Sequence, residues 1–478
     1  MYESSLWING RAIEETAAAR IDVVNPATEE LLGTAPTAGP AEVAAAVEAA
    51  QHGFDVCSRT TPWERAIVLR RIAALMRERA EDLVTLVTLE IGKTRLESRI
   101  EVTAATEYFD WAAEEARRLG GYFRSGRTAG SRLEVDHEPV GIVLALAAWN
   151  YPIILASRKL AMSLAAGCSV ILRPAEEAPG CVSALIRCLH DAGVPAGVVN
   201  LLIGSPGAVV EPLMANPAVR KVSFTGSTRV GQLLVAQSAH TVKRLTMELG
   251  GHAPFIVLAD ADVEKAASMA VTARMRCAGQ VCTAPSRFYV DRSIGEAFTE
   301  RVTALSRALK VGNGMDDSVQ MGPLATRRQQ ERAQRLVADA RDRGARVTCG
   351  GGRPLGFNAG YFFEPTVLTN LPDAAAILHE EPFTPIAAIV TVENAEEAVR
   401  RANAVEFGLA AYVFGRSSDA IGRVTSKLQV GVIGVNTVAV AMAEMPFGGV
   451  KQSGYGREGG VESIHDFLST KFVHHAPG

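Results

Sequence analysis

The chain is short of the features that mark the specialised protein classes. It has no excess of one charge, with 49 Lys and Arg against 52 Asp and Glu and a formal net charge of −3. A nucleic-acid partner, which needs a basic face, is therefore not expected. Aromatic residues are scarce, at 6%. The seven cysteines are scattered (Cys57, Cys168, Cys181, Cys188, Cys277, Cys282 and Cys349), and no two have C-x-x-C spacing. That excludes a dense disulfide framework and the common zinc ribbons. His379-Glu380 begins an H-E-x-x-H motif, but no second histidine follows, so no metal centre is expected. Residues Met1–Ser5 lack the basic and apolar regions of a secretory signal, and a cytoplasmic location is the expectation.

A membrane span is also missing, although one stretch raises the question. Residues 140–157 carry no charge. Asn150 and Pro152 interrupt the run, and Arg158-Lys159 continue its second half as a helix, so a buried strand, turn and helix are predicted instead.

What the chain does have is apolar residues (48%) and glycine (43 of 478), enough for a large packed core with close helix–sheet contacts. Length alone suggests about three domains. In the N-terminal part Leu69, Ile72, Met76, Leu83 and Val87 form a helical apolar stripe. Residues 120–139, rich in Gly, Arg and Ser, read as a protruding arm. From Gly141 the pattern becomes alternating. Strands are predicted near 141–147, 169–172, 198–203, 222–224 and 244–247, with helices over 153–165, 181–191 and 228–239. A second block repeats the alternation, with strands near 255–258, 288–290 and 386–392 and helices over 263–277, 327–343 and 395–403. Apolar strands alternating with helices predict parallel sheets covered on both faces, giving two α/β lobes plus an arm. Such sheets bind ligands beyond the carboxyl ends of their strands.

Two glycine motifs compete as phosphate loops. Gly454-Tyr455-Gly456-Arg457-Glu458-Gly459 spells G-x-G-x-x-G, but the nineteen residues after it cannot complete the βαβ unit that gives this motif meaning. Phe224-Thr225-Gly226-Ser227-Thr228 is the better anion site. It lies between a predicted strand and helix, with Gly226 allowing close approach and Ser227 placed as N-cap. Three further residues stand at predicted element ends beside glycines or turns: Asn150 in Trp149-Asn150-Tyr151-Pro152, Glu248 in Glu248-Leu249-Gly250-Gly251, and Cys282 in Gly279-Gln280-Val281-Cys282. Singly, each has an ordinary structural reading. Together they supply an amide donor, a carboxylate and a thiol.

With Leu172-Arg173-Pro174-Ala175-Glu176, Glu380–Pro385 and Pro446-Phe447-Gly448-Gly449, these motifs run in the order and spacing of one family. Over essentially its whole length the chain resembles the NAD(P)-dependent aldehyde dehydrogenases, most nearly the bacterial succinate-semialdehyde dehydrogenases. The resemblance implies two Rossmann-like parallel-sheet lobes with a small β oligomerisation arm. Residues 1–118 and 140–249 would bind the cofactor and 250–445 would form the catalytic domain. The arm (119–139) and C-terminal tail (446–478) would build a homodimer or homotetramer.

The implied roles follow residue by residue. Cys282, as thiolate, would attack the aldehyde. The Asn150 amide and the Cys282 N–H would hold the oxyanion, and Glu248 would activate water to release the acid. Lys159 matches a lysine that organises proton transfer, although a solvated helix charge is the competing reading. Trp149, Gly226, Ser227, Glu381 and Phe383 would line the cofactor site. Glu176 would bind the adenosine ribose and favour NAD, while Arg173 leaves room for NADP. Arg158 and Arg276, each on a predicted helix, would bind a substrate carboxylate. The chain departs from the family pattern at Ala148, at Thr384, and in Val440-Ala441-Met442-Ala443, where a polar serine is expected; the last change points toward longer or aromatic semialdehydes. The alternatives are a neutral or aromatic aldehyde as substrate, the glutamate-semialdehyde or betaine-aldehyde branches, a CoA-acylating enzyme (which Glu248 disfavours), a cysteine hydrolase with His252 as base, and a non-catalytic protein on the same fold, which would not need all three catalytic residues.

Overall fold

The computed structural model describes residues 2–477. Two sheets organise the molecule. The first has eight strands, and its parallel centre runs Val199–Leu201, Ser169–Arg173, Ile142–Leu146, Val219–Thr225 and Arg244–Glu248 in spatial order. Ile142–Leu146 is buried along its entire length, as expected of a strand covered on both faces. The strand order reverses between Ile142–Leu146 and Val219–Thr225, which opens a crevice at their carboxyl ends. The Trp149–Pro152 turn and the Gly226-Ser227 loop both emerge there.

The second sheet has seven strands. Thr366–Thr369, Ile386–Val392, Arg287–Asp291, Pro254–Val257, Ala410–Phe414 and Val432–Val435 run parallel, with Arg346–Cys349 antiparallel at one edge. Phe255 packs against Phe288 and Phe414 at its centre.

The uncharged run divides as predicted, into the strand Ile142–Leu146, a turn, and the helix Pro152–Ala166. No helix among the described residues is long and apolar enough to cross a membrane. The predicted arm is a hairpin, Tyr122–Ser125 with Arg132–Pro139, and Leu468–His475 adds a third antiparallel strand to it.

Three segments differ from expectation. The apolar stripe from Leu69 to Val87 is shared by two helices, Pro62–Glu78 and Ala80–Ile91, because the backbone leaves the helical region at Arg79. The helix predicted over 263–277 stops at Met275, because Cys277 and Ala278 take left-handed backbone angles (φ 50° and 49°) in a short 3₁₀ turn. Alanine and cysteine carry no local signal for that conformation. The tail also doubles back: Gly454-Tyr455 pairs with Met247-Glu248 and so becomes an edge strand of the first sheet.

Candidate active site

A cavity of roughly 830 Å³ lies between the sheets, and its wall includes Asn150, Glu248, Cys282, Arg158, Arg276 and Glu381. Residues from motifs more than a hundred positions apart thus share one space.

Cys282 follows the bend at Arg276–Gly279 and is partly exposed to the cavity. Burial pushes its thiol up to about 12, and the nearby Arg158 guanidinium pulls the other way. Asn150 Nδ2 donates to the Gln280 carbonyl at 2.9 Å, so the amide is oriented beside the Cys282 loop. Gln280 is itself anchored: its Nε2 donates to the Cys277 carbonyl (2.9 Å) and its Oε1 accepts from Ala325 N (3.0 Å). Glu97 joins the same network. One carboxylate oxygen caps its own helix at Thr94 N (2.9 Å), and the other accepts from Cys277 N (2.7 Å).

Glu248 ends its strand with both carboxylate oxygens buried and unpartnered. Burial, and next the neighbouring carboxylate of Glu458, hold it well above the usual carboxylate range. A glutamate raised in this way is better able to hold a proton it has taken from water.

Lys159 is not a solvated helix charge. It is 1% exposed, donates to Thr225 Oγ1 at 2.7 Å and is hydrogen-bonded to the Glu458 carboxylate. Glu458 belongs to the G-x-G-x-x-G stretch. That stretch is not a phosphate loop, yet it carries a carboxylate into the site, a role the sequence did not reveal.

Arg158 lies on the helix as predicted, between the Tyr108 and Phe447 rings (4.9 and 4.7 Å) and 3.7 Å from Glu458. Arg276 lies not within a helix but just past the end of one, where Met275 closes it. In both residues Nε is buried without a partner. Arg274, two positions earlier, does something the sequence did not reveal. It is fully buried and donates to the carbonyls of Gly279 (2.5 Å), Thr384 (2.6 Å) and Pro285 (3.2 Å), fixing the Cys282 loop to the Glu381–Thr384 loop. Burial lowers its guanidinium to about 9.

The residues around the crevice fit a dinucleotide. Ser227 caps the helix Thr228–Ser238 by accepting from Val230 N, and Gly226 and Ser227 face the cavity, so this helix amino end can receive a phosphate. Glu381 accepts from Gly251 N at 3.0 Å and is held up to about 7 by burial. Phe383 meets Trp149 edge to face at 5.6 Å. Arg173 is occupied: its Nε and Nη2 donate to the Gly204 carbonyl (3.0 and 2.8 Å), and Nη2 also pairs with Glu176 at 3.1 Å. His252 does not face the cavity. It is buried against Ser286 Oγ at 2.6 Å, so a hydrolase has no histidine base there.

Comparison with known proteins agrees with this arrangement. The profile of the aldehyde dehydrogenase family matches residues 13–473. The 4-(hydroxymethyl)benzenesulfonate dehydrogenase TsaD1 of Comamonas testosteroni is 44% identical over 95% of this chain and 94% of its own length. The succinate-semialdehyde dehydrogenase (NADP(+)) GabD of Escherichia coli is 39% identical over 99% and 98%. Among solved structures, a succinate-semialdehyde dehydrogenase from Burkholderia pseudomallei superposes with a TM-score of 0.97 at 40% identity, over 100% of this chain and 98% of that one.

Proposed function

The chain belongs to the aldehyde dehydrogenase family, an NAD(P)-dependent oxidoreductase that converts an aldehyde to its acid, and from that premise we propose that its substrate carries an anionic group remote from the carbonyl. The observation that carries this reading is the pair Arg158 and Arg276. Buried Arg158 and half-buried Arg276, each with an unpartnered Nε, line the cavity that holds Cys282. Arg158 shares the single Glu458 carboxylate with Lys159, so the cavity wall keeps an excess of positive charge that suits an anion.

NAD(P), when bound, would supply the hydride acceptor; the chain's own residues do the rest. Cys282 gives up its thiol proton by way of Glu248 and attacks the carbonyl carbon, and the oxyanion then expels hydride from that carbon to leave the thioester. The second Asn150 amide hydrogen and the Cys282 backbone N–H hold the resulting oxyanion. Glu248 then removes a proton from the water that cleaves the thioester, and Glu458 with Lys159 passes that proton onward. Ser227 and Gly226 would receive the pyrophosphate and Glu381 the nicotinamide ribose, with Trp149 and Phe383 packing beside it. Glu176 would take the adenosine ribose, which favours NAD, since Arg173 is committed to Gly204 and Glu176. Residues 1–118 with 140–249 serve the cofactor and 250–445 the catalytic loops, while 119–139 and 446–478 mediate self-association. Seven unpaired cysteines favour a reducing cytoplasm.

One observation favours a larger substrate than succinate semialdehyde. Ala441, in the segment where a polar serine is expected, lines the cavity together with apolar Ile100, Ala104 and Ile154. An aromatic aldehyde bearing a carboxylate or sulfonate fits such a mouth.

The test is NADH and NADPH formation with succinate semialdehyde, glutarate semialdehyde, 4-formylbenzenesulfonate, benzaldehyde and hexanal. Anionic aldehydes are expected to lead. A charge-assisted hydrogen bond contributes about 1.5–3 kcal/mol, so Arg276→Ala should lower kcat/KM for the anionic aldehydes roughly 10- to 100-fold and leave hexanal unchanged. Equal losses on acidic and neutral substrates would overturn the anionic reading.

A further inference from the structure

One buried ion pair lies outside every motif so far assigned. Lys93 stands in the turn before the helix Arg95–Arg118, and Glu101 lies in the second turn of that helix. Both side chains are completely buried and they are bonded to each other. A buried pair seldom improves stability over apolar side chains of the same size, so its remaining contacts are informative. Their other side-chain hydrogen bonds go to the Asn150 turn and to the first turn of the helix that follows it, at the wall of the cavity. Lys93 Nζ donates to the Asn150 carbonyl at 2.8 Å and sits 3.6 Å from the centre of the Tyr151 ring. Glu101 Oε1 accepts from Ile153 N (2.8 Å) and Ile154 N (3.2 Å).

The helix Pro152–Ala166 needs this help. Its N-cap residue, Tyr151, provides no side-chain acceptor. Buried Ile153 and half-buried Ile154 would otherwise present unpaired N–H groups. Glu101 caps the helix from another element, and Lys93 neutralises Glu101 while gripping the carbonyl of the residue that donates the amide. Asn150 is thereby held at both ends, its carbonyl by Lys93 and its side chain by the Gln280 carbonyl.

We infer that Lys93 and Glu101 are positioning residues for the Asn150 oxyanion donor. The inference rests on the reading of Asn150 given above. Neither residue touches the reacting atoms; both act by fixing where the free amide hydrogen points. Displacement of about 1 Å at such a donor costs on the order of 100-fold in rate.

The test is a double-mutant cycle on the full-length enzyme, read as the single-turnover rate of the NADH burst. In the Asn150 background, Lys93→Met and Glu101→Gln should each slow the burst roughly 10- to 100-fold and leave KM for the cofactor unchanged. In the Asn150→Ala background the same substitutions should change the burst less than about twofold, because the group they position is gone. Equal losses in both backgrounds would overturn the inference and leave only a structural role. Glu101→Gln keeps the side-chain volume and the oxygen facing Ile153 N, so it carries the cycle if Lys93→Met does not fold. An unchanged burst in Asn150→Ala alone would instead overturn the oxyanion reading, an outcome visible before either partner is substituted.

Discussion

At the residue scale, the pH behaviour of the reaction is set by neighbours rather than by Glu248 alone. Glu248 must be ionised to take a proton from water. Burial and the carboxylate of Glu458 hold it above the ordinary glutamate value of about 4.3, so the acid limb of thioester hydrolysis lies correspondingly higher. Glu458→Gln removes the repelling charge. It also frees Lys159 and Arg158, both of which pull Glu248 downward. All three changes have the same sign. The acid limb of single-turnover thioester decay in Glu458→Gln should therefore move to lower pH, even if the maximal rate falls through loss of the Lys159 contact. A limb that stays or moves up contradicts the coupling. The sequence could not show it. Glu248 was legible because its strand-end motif is local, but Lys159 and Glu458 are 299 positions apart. The tail reaches the site through long-range contacts, among them the pairing of Gly454-Tyr455 with Met247-Glu248 and the bridge between Phe447 and Glu458.

At the scale of single elements, most strands and helices were legible because their periodicity is strong and their ends carry caps. Ser227 is one such cap. The bend after Met275 was not, because nothing in Arg276-Cys277-Ala278 asks for left-handed backbone. It persists because its surroundings fix it: Glu97 takes the Cys277 N–H, and Arg274 takes the Gly279 carbonyl. Sequence alone cannot separate Arg274 from Arg276. One knits two loops together from inside the core; the other faces the cavity. Their substitution should separate them cleanly. Arg274→Met strands three buried carbonyls at about 1–3 kcal/mol each, a loss on the order of 4 kcal/mol or more. Arg276→Met leaves no such set of acceptors behind and should stay within about 1 kcal/mol of the parent. Urea denaturation of the two variants measures the difference. Comparable losses would mean that Arg276 is also a structural clamp, which would remove half of the argument for an anionic substrate.

At the scale of the whole molecule, the three-stranded sheet of Tyr122–Ser125, Arg132–Pro139 and Leu468–His475 is the least self-sufficient part. Its two outer strands have open edges. Its register aligns Tyr122, Val135 and Phe472 in one row across a single face. Tyr122 is 50% exposed and Phe472 60%. A contiguous apolar row between open strand edges is the kind of surface that isolated proteins avoid. A second copy of the chain is the proposed cover, through self-complementary contact across a two-fold axis. The expected consequence is that Tyr122→Asp with Phe472→Asp lowers the mass in solution, as read by light scattering during size-exclusion chromatography. Placing carboxylates in an apolar contact costs several kcal/mol, enough to shift a micromolar association by more than a hundredfold. The active-site loops come from other elements, and the tail segment that carries Glu458 pairs within the same chain. The dissociated variant should therefore keep its Cys282 burst with NAD(P) while its thermal stability becomes independent of concentration. An unchanged mass would move self-association to another face. A dissociated chain without a burst would instead mean that the assembled sheet holds Glu458 in place through the short segment between Glu458 and Leu468.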